Sequence, residues 1–122
     1  KILKKLSEDP VTSKTPTIVF ARDPKCNLNE FKLDGLSCYG MFTSVDPISA
    51  IRIFEGSHAL QGNLDPKILL EEDSVIKESA IKMLSEFKDF PGYIFNLGHG
   101  ITPDINPDKV KVLVEAIRES GT

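Results

Sequence analysis

Apolar residues along this chain fall into two alternating patterns. Short apolar or β-branched runs occupy residues 17–21 (TIVFA), 36–42 (LSCYGMF), 58–63 (HALQGN, running into a polar loop) and 93–98 (YIFNLG). Runs of this length and composition predict strands, and a run as uniformly apolar as TIVFA predicts a buried one. Between them, apolar positions recur at helical spacing. In residues 27–35, Asn27 can cap, Leu28 and Phe31 share a face, and Gly35 can end the turn. In residues 46–56, Asp46 can accept from a first-turn N–H, Pro47 suits the first helical position, and Ile48, Ile51 and either Phe54 or Ala50 form the stripe. Residues 73–90 place Ile76, Ala80, Leu84 and Phe87 on one side. Residues 106–120 start with an Asn106 cap and Pro107 and carry Val110, Leu113, Val114 and Ile117. The chain opens on KILKKL, a helix end or arm, and a Pro- and Ser-containing linker; 1–16 therefore reads as a lead-in and 17–122 as the folded unit.

The order β-α-β-α-β-α-β-α predicts an α/β fold with a parallel sheet and right-handed crossovers. Four such units fit either a small open sheet or part of a (β/α)8 barrel, whose full length is typically about 250 residues. In both architectures ligands meet the loops that follow the strands. The third and fourth of these loops are the most specialised. LQGNLDP sets Gln61, Asn63 and Asp65 around a glycine, and NLGHG sets His99 between Gly98 and Gly100. An imidazole there can donate to a carboxylate or exchange a proton near neutral pH, while an ordinary glycine turn accounts for the same residues. Asn63 and Asp65 also fit turn or cap positions before Pro66, Asp46 fits a helix cap better than a base, and His58 fits a surface or rim position.

Composition narrows the chemistry. The 122 residues are 40% hydrophobic and 27% charged with a net charge of -3, an ordinary globular balance without the basic stripe of a nucleic-acid binder. No apolar run approaches the roughly 18 residues of a membrane span, and no signal-peptide pattern is present. The two cysteines, Cys26 and Cys38, lie outside any C-x-x-C and read as plain thiols suited to a reducing cytosol. No H-E-x-x-H, H-x-C or C-x-x-C spacing offers a metal site, so none is expected. A phosphate-binding G-x-x-x-x-G-K-[ST], a dinucleotide G-x-G-x-x-G after a strand and a G-x-S-x-G nucleophile are equally missing.

ALQGNLDPKILL, followed after one amphipathic helix by GYIFNLGHGITPDINPDKVKVLVEAI, resembles the C-terminal region of the uroporphyrinogen decarboxylase family. The similarity runs from about Thr17 onward and is strongest from Ala59 to Ile117. It implies a (β/α)8 barrel of which this chain supplies the C-terminal half, a cytoplasmic homodimer, and no cofactor. The reaction it implies removes carbon dioxide from the four acetate side chains of uroporphyrinogen, giving coproporphyrinogen in heme biosynthesis. The arginine-rich substrate loop and the carboxylate that binds the pyrrole nitrogens belong to the family's N-terminal half, so the isolated chain is expected to be inactive and to carry no catalytic residue. The resemblance carries one substrate contact onto this sequence, His99 as a hydrogen-bond partner of a substrate carboxylate. Gly98 and Gly100 would let it point into the cleft, and Gln61, Asn63 and Asp65 would form the cleft floor. Two segments depart from the family: RDPKCN stands where glycine-rich sequence is frequent, and GMFTSVD lacks a common Asp-Trp pair.

Two other readings compete. Corrinoid and thiol methyltransferases share a related barrel but typically hold zinc through an H-x-C spacing. A non-catalytic half-barrel could instead bind tetrapyrrole and self-associate through its open strand edges.

Overall fold

The computed structural model describes residues 2–121. Helix α1 (Ile2–Glu8) and a 3-10 turn lead into strand β1 (Ile18–Phe20). Strand β2 (Cys38–Gly40), helix α2 (Pro47–Phe54), strand β3 (Ala59–Gln61), helix α3 (Asp73–Glu86), strand β4 (Tyr93–Ile94) and helix α4 (Pro107–Ser120) follow. The four strands are parallel and stand in chain order, β1-β2-β3-β4. A doubly wound sheet reverses its order at a switch point. This one does not, so it winds as an arc of a barrel.

The helix starts follow from capping chemistry. Asp46 accepts from Ser49 N at 2.8 Å and Asn106 from Asp108 N at 2.9 Å, each with proline next in the chain. Asp65 does the same for a short 3-10 helix, Pro66–Leu70, that the apolar pattern does not announce. Lys109 then ties α4 to the start of α3, donating to Asp73 Oδ1 at 2.7 Å and to Glu71 O at 3.0 Å.

Register separates the two faces of the sheet. Val19, Tyr39, Leu60 and Tyr93 form one row. This row faces the helices: the Tyr39 ring stacks on Phe54 with centroids 5.1 Å apart, and Tyr93 stacks on Phe87 at 3.9 Å. The next row, Phe20, Gly40, Gln61 and Ile94, points the opposite way.

Several expectations are corrected. Strand β1 is not buried: Ile18 is 49% and Phe20 51% exposed, because β1 is an edge strand whose outward row meets no second layer here. Between β1 and β2 the chain makes only a 3-10 turn, Leu28–Phe31, although Asn27 caps it and Phe31 is buried as expected. Two asparagines, an aspartate and Gly35 in nine residues are poor helix formers. Gly35 itself sits at φ +88 with the Ser7 carbonyl where a side chain would be, so α1 packs against this turn. In α2, Ala50 and Phe54 are the buried residues and Ile48 turns outward. In α3 Met83 is buried alongside Ile76 and Ala80, and in α4 Ala116 rather than Val114 joins Leu113. Among the described residues no helix is long and apolar enough to cross a membrane.

Candidate functional site

A cleft of about 730 Å³ opens on the exposed face of the sheet, at the C-terminal ends of the strands. Phe20, Gly40 and Gln61 reach it from adjacent strands, His99 and Thr102 from the loop after β4, and Arg22 from the loop after β1. The Phe20 ring leans over Gly40, where an added Cβ would lie 3.3 Å from it, so the glycine leaves room for an aromatic floor. Phe42 extends that floor, with its ring 6.3 Å from Phe20 and 5.6 Å from His99.

His99 Nδ1 lies 2.9 Å from Gly100 O. A carbonyl only accepts, so Nδ1 carries a proton in this arrangement and Nε2 is left for a ligand. Nε2 accepts when the ring is neutral and donates when it is an imidazolium.

The two glycines around His99 differ. Gly98 is buried, and a Cβ there would sit 2.6 Å from Thr43 N, so the loop after β2 leaves no space for a side chain. An added Cβ at Gly100 would meet nothing within 4 Å. Neither has a left-handed φ, which belongs to Gly62 at 110°. The expectation that both glycines aim the histidine is thus revised: Gly98 allows two loops to touch, and no contact at Gly100 demands glycine.

Gln61 projects into the cleft, half-buried, two positions before Asn63. Asn63 does not line the cleft. Its side chain is 4% exposed, and Nδ2 donates to Phe42 O and Val45 O, both at 2.8 Å. It fastens the loop that carries Phe42 to the end of β3. Tyr93 braces the same corner by donating to Gly62 O at 2.6 Å, and burial pushes its phenol well above the ordinary range, with the Glu86 carboxylate adding to the rise. Tyr39, beneath the sheet, is pushed up to about 12 by burial, with Cys26 adding to it. Both phenols are structural, protonated groups across the physiological range. Asp65 caps its 3-10 helix and takes no place in the cleft, and Asp46 caps α2. His58 bonds Leu33 O through Nε2 at 3.0 Å and lies edge-on to Phe54, below the sheet rather than on a rim. Cys26 is an exposed thiol and Cys38 a buried one. Among the described residues no group of three His, Cys, Asp or Glu side chains converges as a metal site.

Phe20 and Arg22 line the cleft, and Phe42 packs behind Phe20 and His99, although their side chains carry no motif. One signal was available. Strand period two places Phe20 and Arg22 on the same side, flanking Ala21, which packs toward the core.

A family model described as Uroporphyrinogen decarboxylase (URO-D) matches residues 1–120. The uroporphyrinogen decarboxylase of Chloroherpeton thalassium is 40% identical over 123 aligned residues, covering 96% of this chain and 35% of that protein. That of Alcanivorax borkumensis is 35% identical, covering 98% of this chain and 34% of its own length. That of Chlorobaculum parvum is 38% identical, covering 87% and 31%. The chain spans about a third of the length of the curated relatives it matches.

Proposed function

The chain belongs to the uroporphyrinogen decarboxylase family, and from that premise we propose that it forms one wall of an enzyme that decarboxylates the acetate side chains of uroporphyrinogen. Residues 17–122 are the C-terminal part of the barrel and 1–16 lead into it. The full-length enzyme works as a cytoplasmic homodimer. The observation that carries the reading is the cleft itself: an imidazole with a free Nε2, a half-buried amide and an aromatic floor share one site at the strand ends.

The chemistry divides between the walls. Protonating a pyrrole carbon creates an electron sink, carbon dioxide leaves with its bonding electrons passing to the ring, the exocyclic carbon takes up a proton, and the ring carbon gives its own proton back. A developing pyrrole cation needs a carboxylate near it, which acts electrostatically in a dry site. Among the described residues no carboxylate lines this cleft. The chain's own share is to hold the substrate: Nε2 of His99 on a side-chain carboxylate, Gln61 as a neutral polar contact, and Phe20 and Phe42 against the flat pyrroles.

The test is His99→Ala in the full-length enzyme with uroporphyrinogen as substrate. Losing one charge-assisted hydrogen bond of about 1.5–3 kcal/mol raises KM roughly 10- to 100-fold while kcat changes little. His99→Gln, which keeps a donor, loses less. An unchanged KM in a folded His99→Ala enzyme would remove the histidine from the site. The half-exposed apolar side chains Ile18, Phe20 and Ile94 favour one rival, a self-associating tetrapyrrole-binding half-barrel without activity. Sedimentation of the 122-residue chain at monomer mass, with no uptake of an apolar-surface dye, would discard it.

A further inference from the structure

The cleft carries a cation that the family resemblance does not assign. Arg22 follows β1, and its neighbour Ala21 packs against the core, so Arg22 and Phe20 stand on the cleft side of the strand. The chain then turns sharply, because Asp23 takes a left-handed φ of 45°. Arg22 is exposed, and its guanidinium has no ion pair and no hydrogen bond among the described residues. The described residues that line the cleft include no aspartate or glutamate, although the chain as a whole is acidic. An acidic protein whose cleft shows a guanidinium and no carboxylate in its lining presents a local positive field to an anion.

We propose that Arg22 is a further substrate-binding residue, which holds a second side-chain carboxylate of the tetrapyrrole across the aromatic floor from His99. The inference rests on the functional reading above and deepens it, since a two-point grip selects a polycarboxylate over a ring bearing a single acid. A guanidinium suits this role because its planar fork meets both oxygens of a carboxylate, which a lysine ammonium does not. Phe20, two positions earlier on the same side, supplies the apolar surface on which the ring lies. Nothing in the bond-making steps is asked of Arg22. It contributes equally to the substrate and the transition state, so its loss belongs in KM.

The experiment uses the full-length enzyme, with Arg22→Gln and Arg22→Lys beside the unaltered protein. Turnover of uroporphyrinogen and fluorescence titration with uroporphyrin, its oxidised form, are both read. Arg22→Gln is expected to raise KM and the uroporphyrin Kd by about 10- to 100-fold with kcat within about threefold. Arg22→Lys is expected to recover only part of this, because the charge returns without the fork. Unchanged KM and Kd in a folded Arg22→Gln enzyme overturn the proposal. So does misfolding of Arg22→Gln that Arg22→Lys restores, which would make Arg22 an ion-pair anchor for the rest of the barrel. If the unaltered enzyme neither converts uroporphyrinogen nor binds uroporphyrin, the functional reading itself fails and takes Arg22 with it. If it does both and the arginine variants match it, the reading stands and Arg22 alone is withdrawn.

Discussion

The two faces of the sheet are built from similar residues and reach different ends. On the helix side, Tyr39, Leu60 and Phe54 are fully buried, and Tyr39 packs between a tilted Phe31 ring and a stacked Phe54 ring. On the other side Ile18, Phe20 and Ile94 are just as apolar but remain 49%, 51% and 43% exposed. Local sequence does not separate them, since Ile18, Val19 and Phe20 are consecutive residues of one strand. The difference lies in what each face meets: α2, α3 and α4 cover the first, and among the described residues no element covers the second. A face left open in a protein of this size marks a binding surface or a missing partner.

The largest expected effect breaks the comparison directly. Phe54→Ala removes a ring from the closed face and leaves a cavity, costing about 3–5 kcal/mol in chemical denaturation of the 122-residue chain. Phe20→Ala removes the same atoms from the open face and costs under about 1 kcal/mol. Equal losses would mean that the open face is covered in solution by a second copy of the chain.

A middle-sized effect separates the two glycines beside His99. Gly98→Ala must push apart the loops after β2 and β4, because Thr43 N lies 2.6 Å from the new Cβ. Overpacking of this kind costs about 1–3 kcal/mol. Gly100→Ala meets open space and stays within about 0.5 kcal/mol. In the full-length enzyme Gly98→Ala should also weaken uroporphyrin binding, since it displaces the histidine loop. Matching melting temperatures for the two variants would contradict the close approach.

Which parts of this were legible in the sequence follows from how local each signal is. The caps at Asp46 and Asn106 need only their own first turn, and both stand where the Asp-Pro and Asn-Pro pairs place them. The parallel order of strands came from alternation alone. The choice of barrel arc over open sheet came with the strand order in the structure and the family match. The weak first unit shows the limit of periodicity: Leu28 and Phe31 have helical spacing, yet Asn27 to Gly35 closes only a 3-10 turn. The open face was beyond local reading, since a buried and a half-covered β-branched run have the same composition. His99 and Gln61 stand in glycine-flanked motifs that mark them in the sequence, and both line the cleft. Arg22, Phe20 and Phe42 enter the cleft only through sheet register and ring contacts, which involve residues up to 79 positions apart in sequence between Phe20 and His99.

The smallest effect distinguishes, in the loop after β2, a carboxylate that serves the fold from one that would serve chemistry. Asp46 ends the loop after β2, where a catalytic acid could stand, but its Oδ2 accepts from the Ser49 hydroxyl at 2.6 Å and from Ser49 N at 2.8 Å. These bonds favour the ionised form and lower its pKa below the ordinary 3.8, the hydroxyl contributing most. The unfolded chain, with an unshifted aspartate near 3.9, binds the proton first as pH falls. Between that value and the lower folded one, unfolding takes up protons, so stability rises with pH. The cap's contribution is complete above about pH 4 and is lost as pH falls through the folded pKa. Asp46→Asn keeps an accepting oxygen and cannot titrate, so its stability should fall less steeply below pH 4. Asp9 and Asp104 are lowered by their own hydrogen bonds and continue to titrate, so the slope is reduced rather than abolished. In the full-length enzyme the same variant should leave kcat and KM near neutral pH as they were. A large loss of turnover with an unchanged acid profile would instead place Asp46 among the groups that touch substrate, and the rim after β2 would then belong to the chemistry of the open face.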